Sequence, residues 1–218
     1  MAKMVKQALG EFRGKLGGIV GKIRDGKHYI STAPGRYKIS MASHEVDKRT
    51  RFRVNGQLAR VIRESGHLFR VWDKCDVKAN NAYNRICKLN FKRCEPLRPS
   101  ANNIITPPGF WLPVTDIKVF PDRVEAEIEA FEILPEEERI VPVLIVSFYE
   151  PKFEADTYFT ARWIKNCEQD GLKFIFRYMG SDEVYAGKYN HATIYLAAVT
   201  EDAEGRIVRW SSTASRDF

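Results

Sequence analysis

Residues 140–149 read IVPVLIVSFY, a run apolar on both of its alternating faces, with Pro142 near its start where a missing backbone donor is tolerated. Such a run is a central strand buried on two sides. Around it the period is two. VTDIKVF, a Pro121-Asp122 turn and RVEAEIEAF come before it, with Val124, Ala126, Ile128 and Ala130 alternating with Glu125, Glu127 and Glu129. After it come segments at about 157–166 and 172–179 around Asp170-Gly171, then 191–200 and 206–213 around EDAEG. These short strands and hairpin turns predict an antiparallel β-sandwich of immunoglobulin-like type, without the cysteine–tryptophan–cysteine pattern of antibody domains.

Upstream, residues 95–113 (EPLRPSANNIITPPGFWLP) hold five of the ten prolines and read as a connection between two regions, 1–100 and 110–218. Charge divides the same way. Residues 1–100 carry 23 Lys and Arg against 8 Asp and Glu, net +15, whereas 101–218 carry 12 against 20, net −8. One part attracts polyanions and the other repels them, or copies of the chain attract one another.

In the basic region, Ser43 is read as the N-cap of a helix running to about Glu64 and stopped by Gly66. Val54, Leu58, Val61, Ile62 and Ser65 form its buried stripe, and Lys48, Arg49, Arg51, Arg53, Arg60 and Arg63 occupy the rest. A second helix is expected over about 76–92. Ahead of both, IVGKIR and KHYIS flank Asp25-Gly26, a strong hairpin signal. It sets Arg24 opposite Lys27, Lys22 opposite Tyr29 and Ile23 opposite His28. Its basic face admits two readings, a contact for phosphates or a solvated surface. Residues 1–18, with Arg13, Lys15 and four glycines, read as a mobile arm or a short helix that orders on contact.

Together these readings give an α+β chain: a basic arm, a β-hairpin and two helices, followed by the sandwich. The opening run Gly10, Phe12, Gly14, Lys15, Gly17, Val20, Gly21, the Tyr29-Ile30 strand end, the Asn81-Ala82 helix start and the closing IYLAAVTEDAEGRIVRWSS are similar to an uncharacterised family of the Bacteroidota, a domain of unknown function. The resemblance implies no activity. The Arg-rich helices, and the absence of that family's Pro- and Gln-rich stretch after the hairpin, are departures from it.

Chemistry is sparse. GEFRGKL has one residue too few between its glycines for a phosphate loop, and Leu16 stands where a metal-binding hydroxyl is needed. No G-x-S-x-G elbow or H-E-x-x-H helix exists, and His28, His44, His67 and His191 lie in unrelated contexts. Cys75, Cys87, Cys94 and Cys167 lack the short chelating spacing of zinc sites and read as reduced thiols. The apolar runs are far below the ~20 residues that span a bilayer. With no secretory pattern at the N-terminus, the expected location is the cytoplasm or a particle assembled there.

The expectation is therefore a non-enzymatic structural or assembly protein of coat- or virion-associated type, with no cofactor, metal, membrane or small-molecule substrate. Its nucleic-acid contacts would be Arg13, Lys15, Lys22, Arg24, Lys27, Lys48, Arg49, Arg51, Arg53, Arg60 and Arg63. Self-association would run through Glu125, Glu127 and Glu129. The alternative is an adhesin-like interaction module using the sandwich loops.

Overall fold

The computed structural model describes residues 2–3, 13–24, 26–35, 39–154 and 156–218. The chain divides into two compact units, Met1–Met41 and Ala42–Phe218.

The first unit is an antiparallel sheet of β1 (Ala2–Lys3), β2 (Gly14–Leu16), β3 (Ile19–Arg24) and β4 (Lys27–Thr32), in the order β1-β4-β3-β2. The β3–β4 register is the one read from the sequence: Arg24 faces Lys27, Lys22 faces Tyr29 and Ile23 faces His28. Gly26 has φ 70°, as a two-residue hairpin loop requires, while Asp25 lies outside the described residues. The expected arm or short helix over 1–18 is corrected where it is described. Gly17, at φ 55°, turns the chain so that Leu16 pairs with Ile19, and Gly14–Leu16 becomes a strand. Most of the rest of that arm, including Gly10 and Phe12, lies outside the described residues.

The second unit mixes helices and antiparallel sheets. It opens with α1 (Ser43–Glu64), α2 (Gly66–Lys74) and α3 (Ala82–Asn90). Ser43 is the first helical residue and not a cap; the N-cap is Ala42, which offers no side-chain bond. Gly66 does not end the helical region, because Ser65 turns extended and its hydroxyl accepts the Leu68 N–H at 3.4 Å, starting α2. α3 is shorter than expected and is capped by the Asn81 side chain, which accepts from Asn84 N at 2.9 Å. Val54, Leu58, Ile62 and Ser65 of the expected α1 stripe are buried; Val61 is half-buried, and Asn55 and Ala59 take their place beside the others.

Next come β5 (Val114–Val119), β6 (Arg123–Ile128), β7 (Arg139–Pro151), β8 (Phe159–Ile164), β9 (Asn166–Asp170), β10 (Lys173–Arg177), α4 (Ser181–Lys188), β11 (Tyr189–Glu201), β12 (Ile207–Trp210) and β13 (Ala214–Asp217). They form one sheet in the order β5-β6-β10-β9 and another in the order β12-β11-β7-β8, with β13 also on β11. Alternation along β7 explains the layering. Leu144, Val146 and Phe148 share a core with Val124, Phe174 and Phe176 of the facing sheet. Val143 and Ile145, with Tyr195 and Ala197 of β11, share a core with Leu58, Ile62, Trp72 and Ile86 of the helices. Helices, sheet and second sheet are therefore three layers, and β7 is apolar on both faces because each face is a core.

That layering corrects the boundary expected at 100–110. The proline-rich segment is a strap whose backbone is satisfied by specific partners. Tyr195 Oη donates to Ser100 O at 2.7 Å, and Trp72 Nε1 donates to Ile105 O at 2.8 Å. Thr213 Oγ1 accepts from the N–H groups of Ile105 and Thr106 at 2.9 and 3.1 Å, and Phe110 N donates to Trp210 O at 3.1 Å. Prolines here remove donors that a non-helical, non-sheet path would leave unpaired. No described helix is long and apolar enough to cross a membrane.

Candidate polyanion-binding surfaces

Dividing the chain at the structural boundary changes the charge picture. Residues 1–41 carry nine Lys and Arg against Glu11 and Asp25, net +7, while 42–218 carry 26 against 26, net zero. The whole formal charge of the chain, +7, thus belongs to the small N-terminal sheet unit.

Within that unit, Arg13, Lys15, Lys22 and Lys27 are exposed. Lys15 pairs across from Val20, Lys22 from Tyr29 and Lys27 from Arg24, so the register puts these positions on one face of the hairpin, beside an aromatic ring. Arg24 holds its register position; its side chain lies outside the description.

The six expected cations of α1 differ in their surroundings. Lys48 Nζ pairs with Glu45 at 2.9 Å, Arg51 Nη1 donates to Cys94 O at 3.0 Å, and the Arg63 guanidinium lies 5.8 and 5.9 Å from the Phe69 and Tyr83 ring centres. Arg51 is thereby a tie between α1 and the turn after α3. Arg49, Arg53 and Arg60, at i, i+4 and i+11, share an exposed stripe bordered by Phe52, which is 61% exposed.

The expected glutamate row is a charge mosaic. Arg123 Nε and Lys173 Nζ hold the Glu125 carboxylate at 2.7 and 2.9 Å. The Arg123 hydrogen bond, then the Lys173 one, push its pKa down to about 2. Glu127 pairs across from Lys173 on one side and Asp116 on the other. Glu129 stands beyond the end of β6, its N–H donating to Pro113 O at 2.8 Å. Sheet pairing brings cations of β10 alongside β6, which a single-strand pattern does not contain.

The cysteines are free thiols, Cys75 and Cys94 buried. Burial pushes the thiols of Cys94 and Cys167 up to about 11, so both are protonated and weakly nucleophilic at neutral pH. Among the described residues no group of three His, Cys, Asp or Glu could hold a metal ion.

Two ion-pair clusters not anticipated from the sequence belong to the framework. Glu137 accepts from Thr200 Oγ1 at 2.6 Å, from Leu134 N at 2.8 Å and from Arg209 Nε at 2.5 Å. Glu201 meets Arg70 at 2.7 Å and His67 at 3.2 Å, fastening α2 to β11. Their members are distant in sequence, so no local motif marks them.

Fold and surface together define an α+β protein with a cationic N-terminal sheet unit and a charge-neutral three-layer body. Comparison with protein-family models, curated proteins and solved structures gives no match.

Proposed function

We propose that this chain is a non-enzymatic assembly protein in which the N-terminal sheet unit is the contact for nucleic acid and Ala42–Phe218 is the platform. The observation that carries the reading is the location of the net charge: all of the +7 lies within residues 1–41. A concentrated cationic unit attached to a neutral body is what non-specific phosphate binding needs, since each phosphate neutralised releases counterions. The exposed Arg49, Arg53 and Arg60 stripe supplies a second, smaller cationic surface.

The platform reading is supported by strand order. Lettered in chain order from β5, with β8 as C′, the sheets run A-B-E-D and G-F-C-C′, an order that supports the immunoglobulin-like reading. Membership of the Bacteroidota family suggested by the opening glycine run, residence in the cytoplasm or a particle, and self-association belong to the same proposal.

The test replaces Arg13, Lys15, Lys22 and Lys27 with Gln in the full chain and titrates single-stranded and duplex DNA against salt. The expected result is strong binding by the parent at low salt, with the log–log salt slope falling by about 0.7–0.9 for each phosphate no longer neutralised. Equal affinity and slope in parent and variant would sink the proposal.

A second reading, an interaction module using the sandwich loops, is favoured by Phe153 in the β7–β8 loop and Trp111 in the strap, 66% and 77% exposed. Under it, a protein partner is retained by the Gln variant and released on replacing Phe153 and Trp111 with Ser.

A further inference from the structure

The charged face of the N-terminal sheet holds an aromatic ring that phosphate binding alone does not need. β4 is an interior strand, and Tyr29 on it has Lys22 of β3 as its register partner on one side and Lys3 of β1 on the other. Lys27 and Ser31 stand two residues away along β4, and Lys15 of β2 pairs with Val20, two residues from Lys22. Register partners share a face, about 5 Å apart across strands and about 7 Å apart two residues along one. Tyr29 is therefore surrounded by cationic positions, of which Lys15, Lys22 and Lys27 are exposed.

The alternation of the strands sends Leu16, Ile19, Ile23 and Ile30 to the opposite face. Apolar packing within the unit thus does not call for a ring among the lysines. Elsewhere in the chain, rings near cations are already covered: Arg63 lies over Tyr83, Arg98 over Tyr149 at 4.0 Å and Arg162 over Tyr185 at 5.5 Å. Among the described residues no cation or second ring lies over Tyr29, although lysines flank it. The ring is half-buried, and with two side-chain torsions it is ordered at low entropic cost.

We infer that this face binds single-stranded nucleic acid, one base lying on the Tyr29 ring while neighbouring phosphates meet Lys15, Lys22 and Lys27; this rests on the nucleic-acid reading above and names its substrate. A duplex fits poorly. Its bases are stacked on one another, and its ~12 Å major groove admits a helix or a two-stranded ribbon, whereas this sheet has four strands spaced about 4.8 Å apart. A single strand offers phosphates and free base faces together, and stacking on an aromatic ring accepts any base.

The full chain is titrated at about 50 mM salt with four labelled oligomers of about twelve nucleotides: oligothymidylate, oligouridylate, an abasic strand with the same phosphates, and a duplex. The parent should bind at least one base-bearing single strand about fivefold or more tighter than the abasic strand, the gain from stacking one base, and tighter than the duplex. Whichever of the two it prefers identifies the sugar. Tyr29→Phe should keep that gain. Tyr29→Val, which preserves strand propensity, should lose it while abasic binding and the salt slope stay unchanged, which also shows that the sheet still folds. Should Tyr29→Val unfold the sheet, abasic binding falls with it, and the parent and Tyr29→Phe decide. Equal parent affinity for base-bearing and abasic strands, tighter binding of the duplex, a gain that survives Tyr29→Val, or one lost equally in Tyr29→Phe overturns the inference and leaves the phosphate reading standing. No binding to any of the four removes both.

Discussion

A Cβ placed on Gly109 would lie 2.0 Å from the carbonyl oxygen of Trp210, so these two backbones meet at a distance that only glycine permits. The approach is fastened on both sides, by Gly109 N to Ser212 Oγ at 3.0 Å and Ser212 N to Phe110 O at 2.8 Å. Gly109→Ala must push the strap off β12 and should cost about 1–3 kcal/mol, as overpacking does. Urea unfolding of the two proteins measures it; an unchanged midpoint would mean the strap is not anchored there.

The strap should also resist proteolysis. Tyr195→Phe leaves the Ser100 carbonyl without its donor in a buried setting, a loss of about 1–3 kcal/mol. In the parent, limited trypsin digestion should spare Arg93, whose side chain bonds Asn102 O at 3.1 Å. Early cleavage at Arg93 in the parent contradicts the layering.

Removing Arg209 should be worse than removing its pair together. Glu137 is 7% exposed, so Arg209→Met strands a buried carboxylate at a cost of about 3–5 kcal/mol. The double variant Arg209→Met with Glu137→Leu should recover much of that loss. Equal destabilisation by single and double variants would show that the Arg209 guanidinium over the Phe110 ring, 4.6 Å from its centre, matters more than the pairing with Glu137.

Acid should destabilise the body in two windows. Burial pushes the Glu137 carboxyl up, but its bonds from Arg209, Thr200 and Leu134 outweigh that and leave it below 4.5, while Glu125 falls to about 2. For groups lowered on folding, the unfolded chain binds more protons, so their stabilisation is present above 4.5 and is lost as pH falls toward 2. His67 is lowered from 6.5, chiefly by burial, so its protonation opposes folding and stability also declines as pH falls below 6.5. Thermal midpoints from pH 7 to 3 should therefore drop in steps, the upper one missing in His67→Gln.

Replacing Arg49, Arg53 and Arg60 with Gln should leave the fold intact, each change lying within about 0.5 kcal/mol because the side chains are exposed. Arg51→Gln should destabilise measurably, since it empties the bond to Cys94 O. If the triple variant unfolds as readily as Arg51→Gln, the reading of Arg51 as a tie between α1 and the turn after α3 is wrong.

Local pattern alone determined the Asp25-Gly26 hairpin register, the α1 apolar stripe, the double-sided burial of 140–149 and the alternating β6 face, because each depends on neighbours within one element. α4, within SDEVYAGK, carries no apolar period to announce it, and Ser65 became a cap only because α2 has Leu68, Val71 and Trp72 to bury. What lay beyond the sequence was which surfaces meet. Prolines in 95–113 look the same in a linker and in a strap; the difference is Tyr195, Trp72 and Thr213 arriving from elsewhere to bond the backbone. The glutamates of β6 look like an acidic row until β10 supplies Lys173. Charge totals could be counted at any boundary, but only the tertiary contacts put it after Met41 and so assigned the net +7 to the N-terminal sheet.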